Sequence, residues 1–102
     1  NLENIINVDG IDGTIIGPYD LSGSIGYPGD YDRKEVKNLL DKYELICKKL
    51  SSPPGFHVVP SDSKLVIDKI KSGYEFIGFS LDTIFLGSIC RSEIKKIRKY
   101  LK

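Results

Sequence analysis

The chain has 102 residues, a net charge of +1, 40% hydrophobic and 28% charged residues. That length allows one small domain and not two, and the mix is that of a globular chain rather than a disordered one. The near-neutral balance leaves no electrostatic footprint for nucleic acid, and the absence of a long apolar run or signal peptide argues against a membrane partner.

In chain order, residues 2–7, LENIIN, read as the last turns of a helix, closed by the turn-forming NVDGIDG. TIIG (14–17) reads as a short, fully apolar strand covered on both faces. A Gly/Pro-rich loop follows. Val36, Leu39, Leu40, Tyr43, Ile46, Cys47 and Leu50 then recur at steps of three and four, which predicts a helix over 33–50 with Asp30 or Asp32 as its cap.

SSPPG stops that helix, and FHVV (56–59) makes a second strand. Ser61 or Asp62 caps a helix carrying Leu65, Val66, Ile67 and Ile70, ended by Ser72-Gly73. EFIGFS (75–80) is a third strand, and 83–101 a last helix with Ile94, Ile97 and Leu101 on one side and a cationic, wet face on the other. Cys47 and Cys90 each fall inside an amphipathic pattern without a neighbouring Cys or His, so both are expected to be small buried residues. Such thiols fit a reducing cytoplasm.

Strand-helix alternation at this spacing implies an α/β fold of parallel strands with right-handed crossovers. A flavodoxin-like piece and a sector of an eight-stranded barrel both satisfy it. Either architecture gathers ligands at the C-terminal strand ends, where GPYD (17–20), HVVPSD (57–62) and FSLD (79–82) each place an acid. Asp20 after its strand suits a hard divalent cation, with backbone N–H groups beside it for an anion. The alternative is an Asp capping a short helix that begins at LSGS. Asp82 with Thr83 equally suits a helix cap, Asp62 is expected to be one, and His57 reads as a buried, hydrogen-bonded strand residue before it reads as catalytic. Asp9 and Asp12 precede the first strand and are turn residues; Tyr27, Tyr31 and Tyr43 are assigned packing roles.

VDGIDGTIIGPYDLSGSIGYPG (8–29), GFHVV (55–59) and GYEFIGFSLDTIFL (73–86) together resemble the HpcH/HpaI aldolase family, metal-dependent pyruvate aldolases of 4-hydroxy-2-oxo and 2-keto-3-deoxy sugar acids. The resemblance spans almost the whole chain and implies the last three strand-helix units of a (β/α)8 TIM barrel. It makes residues 1–102 part of a chain of about 250 residues, the usual barrel size; the absence of any Met fits a cut or processed start. It also implies Asp20 as a ligand of Mg²⁺ or Mn²⁺, with Co²⁺ a further candidate. The turn Gly17, Pro18, Tyr19 and Asp20 would bind the pyruvate carboxylate through the Tyr19 and Asp20 amides, and Leu81 would face the aldehyde.

Tyr19 stands where the family generally has Ala. The family's base, arginine and glutamate have no counterpart here, so no catalytic group is assigned within the chain and the isolated chain is expected to be inactive. Family membership further implies a homo-oligomer, commonly a hexamer, with the apolar stripe of 89–101 against a neighbouring subunit. The competing readings are a citryl-CoA-type lyase of the same superfamily and an inactive barrel fragment with an assembly role.

Overall fold

Helix α1 (Leu2–Ile6) leads into strand β1 (Thr14–Ile16), which is followed by α2 (Pro18–Ser24), α3 (Lys34–Lys49), β2 (Pro54–Val58), α4 (Ser63–Lys71), β3 (Phe76–Phe79) and α5 (Asp82–Tyr100), in a computed structural model that describes residues 1–102. The three strands form one parallel sheet in the order β1-β2-β3. All three C-terminal strand ends therefore lie along the same edge. The expected alternation holds, with β2 starting two residues earlier than expected because Pro54 can open a strand, where no ladder donor is demanded of it.

The sheet has one covered face. Phe56 and Val58 point toward the helices and form the core with Tyr43 and Cys47 of α3 and with Tyr74; Ile16, Leu40, Val66 and Ile77 pack around them. On the other face Ile15, Gly55, Phe76, His57 and Gly78 share the register, and Ile15 and Phe76 are exposed. The expectation that β1 is covered on both sides is thus corrected: its apolar composition suits two covers, and this chain supplies one.

Tyr43 ties α3 to the sheet. Its hydroxyl donates to the Thr14 carbonyl at 2.9 Å and accepts the Gly55 N–H at 2.9 Å, with Thr14 Oγ1 at 3.0 Å. A Cβ at Gly55 would run into the Thr14 carbonyl oxygen and the Phe76 ring, so only glycine lets β1 and β2 close around the phenol. Burial raises the Tyr43 phenol above its ordinary value. Tyr74 is raised further, by burial and by its 2.7 Å hydrogen bond to Glu44. Lys69, lowered by burial, sits 3.9 Å above the Phe56 ring, a cation–π contact that seals the edge of the core.

Helix ends differ from expectation in instructive ways. Asp62 caps α4, accepting the Lys64 N–H at 2.9 Å, as anticipated. Neither Asp30 nor Asp32 caps α3: Arg33 holds that position, and the two carboxylates pair instead with Arg33 at 3.0 Å and Lys37 at 3.1 Å. At its far end α3 closes in a Schellman turn, Ser52 N–H to Cys47 O and Ser51 N–H to Lys48 O, with Ser51 at φ 52 where glycine is usual.

Helix α5 buries no residue, and Cys90 is exposed rather than buried, because no other element lies against that helix face. The base of α5 is fixed by an edge-to-face pair of Phe79 and Phe85, centroids 5.0 Å apart, and by Ser61 Oγ to Ser88 Oγ at 3.0 Å. Its outer turns project away. The radius of gyration is 17.2 Å, against about 13 Å for a compact domain of this size. No helix is long and apolar enough to cross a membrane.

Candidate functional site at the C-terminal edge of the sheet

A single residue, Gly17, separates β1 from α2, so the helix starts almost on top of the strand end. Pro18 takes the first helical position, where its fixed φ is already helical and its missing N–H costs nothing. Asp20 therefore lies inside the first turn of α2 and does not cap a helix beginning at Leu21; Gly17 is the cap residue. The Asp20 carboxylate folds back over Gly17: a Cβ there would sit 2.6 Å from Oδ2. The Tyr19 and Asp20 amides precede the first helical hydrogen bond, Leu21 N–H to Gly17 O at 2.9 Å, and have no backbone partner. Exposed carboxylate and free N–H groups thus occupy the same turn, the first offered to a cation and the second to an anion.

The glycine- and proline-rich segment after α2 is held by Ser22, which is fully buried. Its hydroxyl donates to Tyr19 O at 2.9 Å and accepts the Gly29 N–H at 2.9 Å, stitching the loop onto the site turn. Tyr27 is stacked on by Arg33, 3.4 Å from the ring centroid. Tyr19 itself is 57% exposed, its ring passing beside Gly29.

Two strands away, Leu81 follows β3 and is the cap residue of α5; its carbonyl accepts from Ile84 and Phe85, and half of its side chain is exposed. Asp82 is the first helical residue, with its carboxylate on the Thr83 N–H at 2.7 Å, so it is neither the cap nor part of the Asp20 turn. His57, half-buried on the open face, places Nε2 3.0 Å from the Ser80 carbonyl. Ser22 and Ser80 carry no signal that sequence patterning weighs.

No group of three or more His, Cys, Asp or Glu residues lies close enough to hold a metal ion. Six or more oxygen ligands are the norm for hard divalent cations. Asp20 brings one carboxylate, lying over Gly17, so an ion at this turn would need its other ligands from elsewhere.

No family model matches the chain. A hydroxypyruvate/pyruvate aldolase of Sagittula stellata is 38% identical over 86 residues, 83% of this chain and 33% of that protein. A 2-keto-3-deoxy-L-rhamnonate aldolase of Klebsiella pneumoniae is 34% identical over 84 residues, covering 82% of this chain and 31% of the relative. Among solved structures, an HpcH/HpaI aldolase/citrate lyase family protein from Burkholderia cenocepacia superposes with a TM-score of 0.86 at 25% identity, over 95% of this chain and 37% of that one. The HpcH/HpaI aldolase from Desulfitobacterium hafniense gives 0.81 at 24% identity and likewise matches the fold. The chain spans about a third of the length of these relatives, and its three parallel strand-helix units match part of a barrel of that kind.

Proposed function

Because this chain belongs to the HpcH/HpaI aldolase family, we propose that it supplies one sector of a divalent-metal-dependent aldolase. The reaction is cleavage of 4-hydroxy-2-oxo acids or 2-keto-3-deoxy sugar acids to pyruvate and an aldehyde. The carrying observation is the Gly17–Asp20 turn, where a carboxylate held over a glycine adjoins two unpartnered amides at the C-terminal end of a strand. Pyruvate presents a carboxylate and a 2-oxo group side by side, and the turn matches that pair: the Tyr19 and Asp20 N–H groups take a carboxylate oxygen, while Asp20 stands ready as one metal ligand. A divalent ion bound there, Mg²⁺ or Mn²⁺, supplies Lewis-acid polarisation of the 2-oxo group.

The remaining metal ligands, the base and a charge-stabilising arginine come from the rest of the barrel, for which the uncovered face of Ile15 and Phe76 and the two open strand edges leave room. Tyr19 at the mouth and Leu81 across the edge border the aldehyde and set which one fits. In the family's oligomers the exposed apolar side of α5, Ile89, Ile94 and Ile97, seats on a neighbouring subunit.

The test is a retro-aldol assay of the native gene product on 2-keto-3-deoxy acids with added Mg²⁺ or Mn²⁺. Pyruvate release that vanishes in Asp20→Asn and in chelator supports the reading. Activity untouched by Asp20→Asn refutes it, and turnover confined to acyl-CoA substrates transfers the chain to the citryl-CoA-type lyases.

A further inference from the structure

We infer that His57 is a positioning residue: its imidazole locks Ser80 into a left-handed backbone conformation and thereby sets where Leu81 and α5 leave the sheet. Ser80 has φ 56, a region that side chains with a Cβ rarely adopt. Nothing in its own side chain explains this, since Ser80 is 6% exposed and its hydroxyl has no hydrogen-bond partner. The backbone is held from β2 instead. Ser80 N–H donates to the Val58 carbonyl at 2.7 Å, and His57 Nε2 lies 3.0 Å from the Ser80 carbonyl. A carbonyl only accepts, so the ring carries its proton on Nε2.

Both polar groups of Ser80's backbone are therefore gripped by consecutive residues of β2, just beyond the last ladder pair, Val58 with Phe79. Gly78 makes the reach possible. It is the register partner of His57, and a Cβ there would come within 3.2 Å of the imidazole Cδ2. With no side chain opposite, the ring lies along β3 and meets the carbonyl two residues on. Leu81 follows in extended conformation, φ −141, and opens α5. Its direction is inherited from Ser80. The consequence for substrate rests on the proposed aldolase reading; the clamp itself rests on these contacts alone.

The experiment compares the native gene product with His57→Leu, His57→Gln and Ser80→Gly, alone and combined. In the aldol-forming direction His57→Leu is expected to raise the aldehyde KM by on the order of tenfold while leaving the pyruvate KM within about twofold, since the Asp20 turn is separate. His57→Gln, whose amide N–H can donate to the same carbonyl, recovers part of the loss. Ser80→Gly recovers most of it in the His57→Leu background, because glycine takes a positive φ without the clamp. A double variant no better than His57→Leu overturns the inference, as does a neutral His57 protonated on Nδ1 alone in the nitrogen NMR spectrum of the unmodified protein. Absence of any aldolase turnover in that protein refutes the proposed reaction and not the clamp, which the ring tautomer and the same rescue, read as thermal midpoint, then decide.

Discussion

Tyr43→Phe removes one oxygen atom and leaves the ring in the core. The hydroxyl uses its full capacity: it donates to Thr14 O and accepts from the Gly55 N–H and Thr14 Oγ1, all within 3.0 Å. Deleting it leaves the Gly55 N–H buried without a partner, which costs about 1–3 kcal/mol, and removes the bond to Thr14 O, worth about 0.5–1.5 kcal/mol. Thr14 Oγ1 can turn toward solvent because the residue is only half-buried. The expected loss is therefore roughly 1.5–4.5 kcal/mol. The assay is denaturant unfolding of the native gene product, with the midpoint falling at unchanged slope, together with faster hydrogen exchange at the Gly55 amide. A change below about 0.5 kcal/mol with that amide still protected would refute the view that the phenol joins β1 to β2.

Gly17→Ala keeps an allowed φ of −89 but pushes the Asp20 carboxylate aside; the metal concentration needed for half-activity should rise about 10–100-fold with stability little changed, read from a metal titration. Ser51→Gly, at the exposed positive-φ end of α3, should stabilise by about 1 kcal/mol, measured by the unfolding midpoint. In alkali the sign follows from the two tyrosines. Tyr43 and Tyr74 have phenols raised above 10.0 in the fold, so their stabilising contribution is complete below pH 10 and is lost as pH climbs through the raised values. Lys69, lowered from 10.5, runs the other way: its burial penalty fades as pH approaches 10.5. Unfolding free energy should accordingly hold or rise slightly up to about pH 10 and drop beyond it, with a smaller drop in Tyr74→Phe.

The alternation of strand and helix is legible because apolar spacing changes visibly between segments, and the buried positions of α3, Val36, Tyr43 and Cys47, fall on its predicted stripe. Asp20 is legible as a strand-end acid, and the family resemblance adds the expectation of a metal beside it. Its exact placement is not, because a helix starting at Pro18 competes with one starting at Leu21 and only the Gly17 turn decides between them. Caps near charged neighbours are equally ambiguous: Asp30 and Asp32 have the right type and position but are drawn to Arg33 and Lys37. Contacts over long sequence separation leave no local trace, as with Tyr43 and Thr14, 29 residues apart, or His57 and Ser80, 23 apart. Exposure fails differently. Ile15 and Cys90 sit in apolar patterns whose covers this chain does not itself provide.

Helix α5 acts mechanically as a lever whose fulcrum is the Ser80–Leu81 peptide. Its 19 residues extend about 28 Å at 1.5 Å per residue, and the contacts of Phe85 and Ser88 brace only the short end. A rotation of about 10° at the fulcrum displaces the Tyr100 end by about 5 Å over that length, roughly the width of a side chain. Angular tolerance at the strand-end turn is thus magnified into lateral displacement at the tip. Whatever meets the tip is sensitive to a backbone angle at the edge where Asp20 and Leu81 stand.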